Sequence, residues 1–201
     1  MRLVIYDRTQ TGTPVGLTTA WSTGARLFEG VGRFDGRFGA ASWSEALDWV
    51  IARDAPVREL QFWGHGKWGQ ALFDDDVLDA SALTPGHRLH TRLEALRERL
   101  APGALIWLRC CESFGAEIGR ELAQRMADWF GCRVAGHTYI IAFHQSGLHG
   151  LAPGMRPDWS VDEGLVEGTA DDPRRARWSK PWAPNTISCL TSQVPAAWFA
   201  R

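Results

Sequence analysis

Ala104-Leu105-Ile106-Trp107-Leu108-Arg109-Cys110-Cys111-Glu112 is the stretch on which the fold turns. Its first five residues are apolar without a break. A strand with one wet face would alternate, so an unbroken run of this length marks a strand buried on both faces, as in a parallel sheet covered by helices. The run then gives way at once to a charge and two thiols.

Working outward, residues 114–130 carry Ile118, Leu122, Met126 and Phe130 at helical spacing, and Gly131 supplies a C′ stop. Cys132 to Ala135 reads as the next strand. Upstream, Leu89, Leu93, Leu96 and Leu100 predict a helix over 86–100. Residues 67–79 read as a hairpin around Asp74-Asp75-Asp76. Arg58 to Trp63 is a short strand ended by Gly64-His65-Gly66. Ser42 followed by Glu45 is a capping box ahead of Ala46, Leu47, Trp49, Val50 and Ile51. Glycines at 30, 32, 36 and 39 make 30–41 a loop or a poorly formed strand. Residues 17–29 hold a weak helical pattern, 7–16 a loop, and Arg2 to Tyr6 a first strand. Strands alternating with helices predict an α/β fold with a mostly parallel central sheet flanked by helices. After residue 144 periodicity fades and Pro and Gly rise. The chain therefore reads as one domain, 1–201, with a core over 1–144 and an irregular C-terminal wrap over 145–201.

With 45% hydrophobic residues in 201, the chain can bury a sizeable core, so disorder throughout is excluded. A net charge of -1 implies no strong field toward nucleic acid or an anionic membrane. No apolar run reaches the roughly 18 residues of a membrane span, and the first residues lack a signal-peptide pattern. A cytoplasmic protein is expected, with Cys110, Cys111, Cys132 and Cys189 as free thiols. The eleven tryptophans follow no period and read as core or groove-wall residues, with Trp159, Trp178 and Trp182 candidates for a cleft wall.

In an open parallel sheet, sites lie beyond the carboxyl ends of the strands. The residues there are Asp7, then His65 with its flanking glycines, then Arg109-Cys110-Cys111-Glu112, then His137. A thiol and an imidazole at the ends of neighbouring strands are what nucleophilic cysteine chemistry needs. Cys111 also precedes the 114–130 helix, whose N-terminus would lower its pKa, while Glu112 beside it would oppose the thiolate. Two readings stay open for a Cys in this place, a nucleophile or a small core residue. Gly64 to Gly69 matches G-x-G-x-x-G, but a dinucleotide site would open a helix there and not a hairpin with three Asp. His137, His144 and His149 lack the spacing and carboxylates of a metal site. His87 and His90 read as solvated, and Asp171 to Arg177 as an exposed loop. Neither metal nor cofactor is expected.

With a strand ending in His65-Gly66 and, some 46 residues on, a strand ending in Cys111, the chain resembles the caspase-like superfamily of cysteine peptidases. Within it the pattern over residues 2–136 is most similar to bacterial caspase-like domains of unknown function, with Gly119, Leu122-Ala123, Gly131 and Val134-Ala135 in register. The resemblance implies a three-layer caspase-like sandwich and a peptide or protein substrate. It implies Cys111 as nucleophile, His65 as general base and acid, and an oxyanion hole from the N–H groups of Gly66 and Cys111. Asp7 would help bind the P1 side chain, which favours a basic residue there, and His137 would line the substrate cleft. An Asx-turn is the other reading of Asp7. Arg109-Cys110-Cys111-Glu112-Ser113 departs from the caspase Gln-Ala-Cys-x-Gly, which keeps Cys110 open as the nucleophile. A caspase-like binding module without turnover is the alternative function. A flavodoxin-like domain with His65 and Cys111 out of reach of each other is the alternative fold.

Overall fold

The computed structural model describes residues 1–12 and 16–199. The loop expected over 7–16 therefore includes three residues, 13–15, that lie outside the described residues. The first strand, β1 (Arg2–Asp7), is apolar and buried nearly throughout. Helix α1 (Leu17–Gly30) follows, then β2 (Gly36–Ala40), a paired strand in the stretch whose glycines predict a loop or a poorly formed strand. Helix α2 (Trp43–Ile51) begins where the capping box put it, with Ser42 Oγ accepting from the Glu45 N–H at 3.2 Å. Next come β3 (Val57–Trp63) and a small meander of β4 (His65–Lys67), β5 (Gln70–Phe73) and β6 (Asp76–Leu78).

A 3-10 turn at Ala80–Leu83 leads into α3 (His90–Arg99), which starts four residues later than the leucine spacing suggested. Leu100, counted with that helix in the sequence, opens β7 (Leu100–Arg109). Helix α4 (Ala116–Phe130) ends at Gly131, whose φ of 62° supplies the left-handed stop. Ile118 is off the buried stripe of α4 and nearly half exposed; Gly119, Ala123 and Ala127 take its place against the sheet. Strand β8 (Arg133–His137) follows. The stretch after residue 144 also contributes regular structure: β9 (His144–Gln145), β10 (Leu148–Leu151), the hairpin β11 (Leu165–Gly168) and β12 (Pro173–Ala176), and β13 (Ile187–Ser188). Pro173 to Ala176, expected in an exposed loop, is thus a paired strand.

Six strands form the central sheet in the order β10-β8-β7-β3-β1-β2. The four pairs from β2 to β8 run parallel, and β10 pairs antiparallel with β8. The mostly parallel α/β architecture is therefore present. Chain order reverses between β1 and β3, which opens a crevice at the carboxyl ends of those strands.

The two sheet faces differ. One packs Leu3, Ile5, Leu60, Phe62, Ile106, Leu108 and Val134 against α2, α3 and α4 in a single apolar core. The other is covered in two pieces. Helix α1 packs Ala25 and Phe28 on Val4, Tyr6 and Trp63, while Val194 and Phe199 of the C-terminal segment pack on Leu105, Trp107, Ala135 and Leu148. Between the two pieces runs a polar seam. Arg33 pairs with Glu59 at 2.5 Å, Gln61 donates to the same carboxylate at 2.6 Å, and Trp63 donates to Gln61 at 2.9 Å. Among the described residues no helix is long and apolar enough to cross a membrane.

Candidate functional site

Register fixes the site. Trp63, the last residue of β3, pairs with Arg109, the last of β7. His65 and Cys111 each follow by two residues, so both emerge at the same height beyond adjacent parallel strands. The two connecting loops touch. A Cβ at position 66 would run into the Cys111 carbonyl oxygen and lie 2.7 Å from Cys110 Sγ, so only glycine fits. The Gly69 N–H donates to the Ser113 carbonyl at 3.2 Å and stitches the loops a second time.

The His65 ring is half-buried and meets Trp21 of α1 edge-on, with centroids 5.7 Å apart. Cys111 is half-buried, and its Sγ accepts from the Ile141 N–H at 3.4 Å. Cys110 is fully buried and belongs to the apolar core, where burial pushes its thiol far up. Burial also pushes the Cys111 thiol up, the Ile141 N–H pulls it down, and the neighbouring Glu112 charge adds to the rise. The lowering expected from a helix N-terminus is therefore not what this thiol experiences. Helix α4 opens only at Ala116, five residues on, and macrodipole effects fade within a turn. No backbone carbonyl accepts from the Cys111 N–H among the described residues.

Glu112 was legible only as a neighbour of the thiol. It is buried, adopts φ of 51°, a region unusual for a residue with a side chain, and leaves Oε2 without a partner among the described residues. Desolvation raises its carboxyl to about 6, opposed by the Lys67 charge from β4. Backbone strain and an unpartnered carboxyl at this spot are features of the folded loop that no sequence signal announces.

Asp7 is fully buried. Its Oδ1 accepts from Thr9 N–H and Oγ1, both at 2.7 Å, an Asx-turn, and its Oδ2 accepts from Asp74 N–H at 3.4 Å. His137 is also fully buried, with Nδ1 3.1 Å from the Ser146 carbonyl, and burial pushes its pKa down to about 3. The loop after β8 does reach the site, through Ile141. The glycine pattern from Gly64 to Gly69 runs into β5, not a helix.

The remaining candidates separate cleanly. Trp159 is buried and stacks on Phe114 and His149, whereas Trp178 and Trp182 are exposed. Trp178 bridges to Ile140, next to the residue that holds the Cys111 sulfur. His149 is buried against Glu163 at 2.6 Å. His90, expected to be solvated, is buried beside Trp129, because α3 packs that face inward. Among the described residues no group of three or more His, Cys, Asp or Glu side chains could hold a metal ion.

Comparison with protein-family models, curated proteins and solved structures returns no match. What the site can do rests on its own chemistry: a half-buried thiol, an imidazole at the same height, and the backbone of the two loops pressed together between them.

Proposed function

We propose that the chain is a cysteine endopeptidase of the caspase-like kind, with Cys111 as nucleophile and His65 as proton carrier. The observation that supports it is the Trp63–Arg109 pairing, from which His65 and Cys111 follow at equal distance. The alternative nucleophile, Cys110, is disfavoured by its place in the apolar core.

Burial and, after it, the Glu112 charge hold the Cys111 thiol up, which favours attack by the thiol with its proton leaving as the bond forms. The thiol proton passes to His65 as the sulfur–carbon bond forms on the substrate carbonyl. Charge on the carbonyl oxygen is held by the N–H groups of Gly66 and Cys111. His65 then gives its proton to the departing amine as the carbon–nitrogen bond breaks. Water, deprotonated by His65, hydrolyses the thioester and restores the thiol. The exposed Trp178 and Trp182 offer apolar walls for flanking substrate residues. Asp7 and His137, expected to bind the P1 side chain and to line the cleft, are both fully buried, so neither touches substrate directly and a basic P1 preference has Asp7 acting only from beneath the crevice. Four free thiols suit a reducing, cytoplasmic setting.

The test is iodoacetamide labelling of the native protein across pH, with the modified cysteine located by mass spectrometry. Labelling at Cys111 is expected, slowed by at least about tenfold in His65→Ala. A peptide library should then show cleavage after Lys or Arg, a preference that Asp7→Asn weakens. Labelling at Cys111 that ignores His65→Ala removes the peptidase reading. A second reading, a binding module without turnover, is favoured by the half-buried Cys111 side chain, whose sulfur is already held by the Ile141 N–H. Labelling dependent on His65 together with no cleavage of any library member would select it.

A further inference from the structure

Trp107, Arg109 and His137 hold three polar atoms without a partner among the described residues. Trp107 and Arg109 alternate onto one face of β7. Trp107 pairs with Ala135 of β8, and two residues further that register sets Arg109 beside His137. The Arg109 guanidinium lies 4.6 Å from the centre of the Trp107 ring, and the Trp107 and His137 rings are 6.2 Å apart. Trp107 and His137 are fully buried and Arg109 is 5% exposed.

Most of their polar atoms are engaged. Arg109 Nε donates to Gln145 Oε1 at 2.7 Å, and Nη2 donates to the carbonyls of Ser188 at 3.3 Å and Cys189 at 2.8 Å. His137 Nδ1 faces the Ser146 carbonyl. The atoms left over are Trp107 Nε1, Arg109 Nη1 and His137 Nε2. A buried polar atom without a partner is costly, so three on neighbouring side chains call for a ligand.

The donor count says which ligand. Indole and guanidinium nitrogens only donate. A carbonyl only accepts, so Nδ1 carries the His137 proton and Nε2 is a bare acceptor. Trp107 Nε1 carries one hydrogen, Arg109 Nη1 two and His137 Nε2 none; one water accepts a hydrogen from each donor nitrogen and gives one of its own to Nε2, so each of the three nitrogens gains a partner. An anion would meet the Nε2 lone pair. Protonating His137 to welcome it is opposed first by burial and then by the charges of Arg109 and His149. A cation would meet Arg109.

We propose that Trp107, Arg109 and His137 form an internal binding site for a single water, which accepts from the indole and guanidinium and donates to His137 Nε2. The water ties the end of β7, one residue before the two cysteines, to β8 beneath the C-terminal segment. This site is independent of the peptidase reading and survives its failure.

Two measurements on the full chain test it. A crystal structure of the protein grown with bromide should show one isolated density peak about 2.7–3.2 Å from the three atoms, without bromide anomalous signal. Long-range proton–nitrogen NMR should show His137 as the Nδ1–H tautomer, unchanged between about pH 8 and pH 5, with a water cross-peak to the Trp107 indole proton. That cross-peak should be lost in His137→Phe; should this variant fail to fold, the wild-type spectra decide alone. An anomalous bromide peak, an Nε2–H tautomer, or rings packed together with no density between them would each overturn the proposal.

Discussion

The two faces of the central sheet are built from different materials. Toward α2, α3 and α4 every strand contributes leucine, isoleucine, valine or phenylalanine, and the helices answer in kind. Toward α1 and the C-terminal segment the same strands contribute Glu59, Gln61, Trp63 and Arg109, and the cover is held by side-chain-to-carbonyl bonds. Arg33 Nε reaches the Ser192 carbonyl at 2.6 Å, and Arg109 reaches Ser188 and Cys189. An apolar face is non-directional and tolerates slippage; a polar seam specifies where its cover sits but punishes any missing partner. The candidate site hangs from the ends of strands that have one face of each kind.

The largest effect should come from breaking the seam. Glu59→Ala leaves Arg33, 7% exposed, buried without its counter-charge, and denaturant unfolding should show a loss of about 3–5 kcal/mol. Replacing the set together, Arg33→Met with Glu59→Leu, should return most of it; if it does not, the seam contributes through geometry that apolar groups cannot copy. On the other face, Leu122→Ala should lose about 2–5 kcal/mol as a cavity forms under α4. A loss below about 2 kcal/mol would mean that the apolar face relaxes around the missing side chain.

The smallest expected change tests the site itself. The Glu112 carboxyl titrates near 6 in the fold, above its ordinary range. A raised acid binds its proton more tightly when folded, so its contribution is fully present below about pH 4.3 and is lost as pH rises through 6. Glu112→Gln should therefore flatten stability between pH 4 and 8 and gain up to about 2 kcal/mol at the alkaline end. The same variant removes the charge that raises the Cys111 thiol, so alkylation there should speed up. Unchanged alkylation would mean that the carboxyl points away from the sulfur.

The apolar face was legible in the sequence because periodicity encodes it. The unbroken run at Ala104–Leu108, the capping box at Ser42 and the stop at Gly131 each reported a local constraint, and each matches an element. The strand ends were legible for the same reason, which is how His65 and Cys111 came under inspection together. The polar face was not. Nothing local announces that Arg33 meets Glu59 26 residues on, or that Arg109 meets Cys189 80 residues on. Strand β10 escaped because its four residues, Leu148-His149-Gly150-Leu151, are too few to show a period, and its place is set by pairing with β8. The Cys111 thiol was misread because proximity to a helix in sequence said nothing about how deeply the sulfur is buried.

The edge of β10 has a consequence for how the chain is made. Its outer side is covered by the Gly147 N–H bonded to Pro184 at 2.8 Å, the Leu148 N–H bonded to Asn185 at 3.2 Å, and the ring of Phe199 against Gly150. An uncovered strand edge is a template for pairing with any other chain. Domains begin to fold from the N-terminal side while synthesis continues. On a ribosome, then, the sheet acquires a sticky border before the residues that sheathe it have emerged. Chains released early, short of residue 184, should be the ones that a cell finds aggregated.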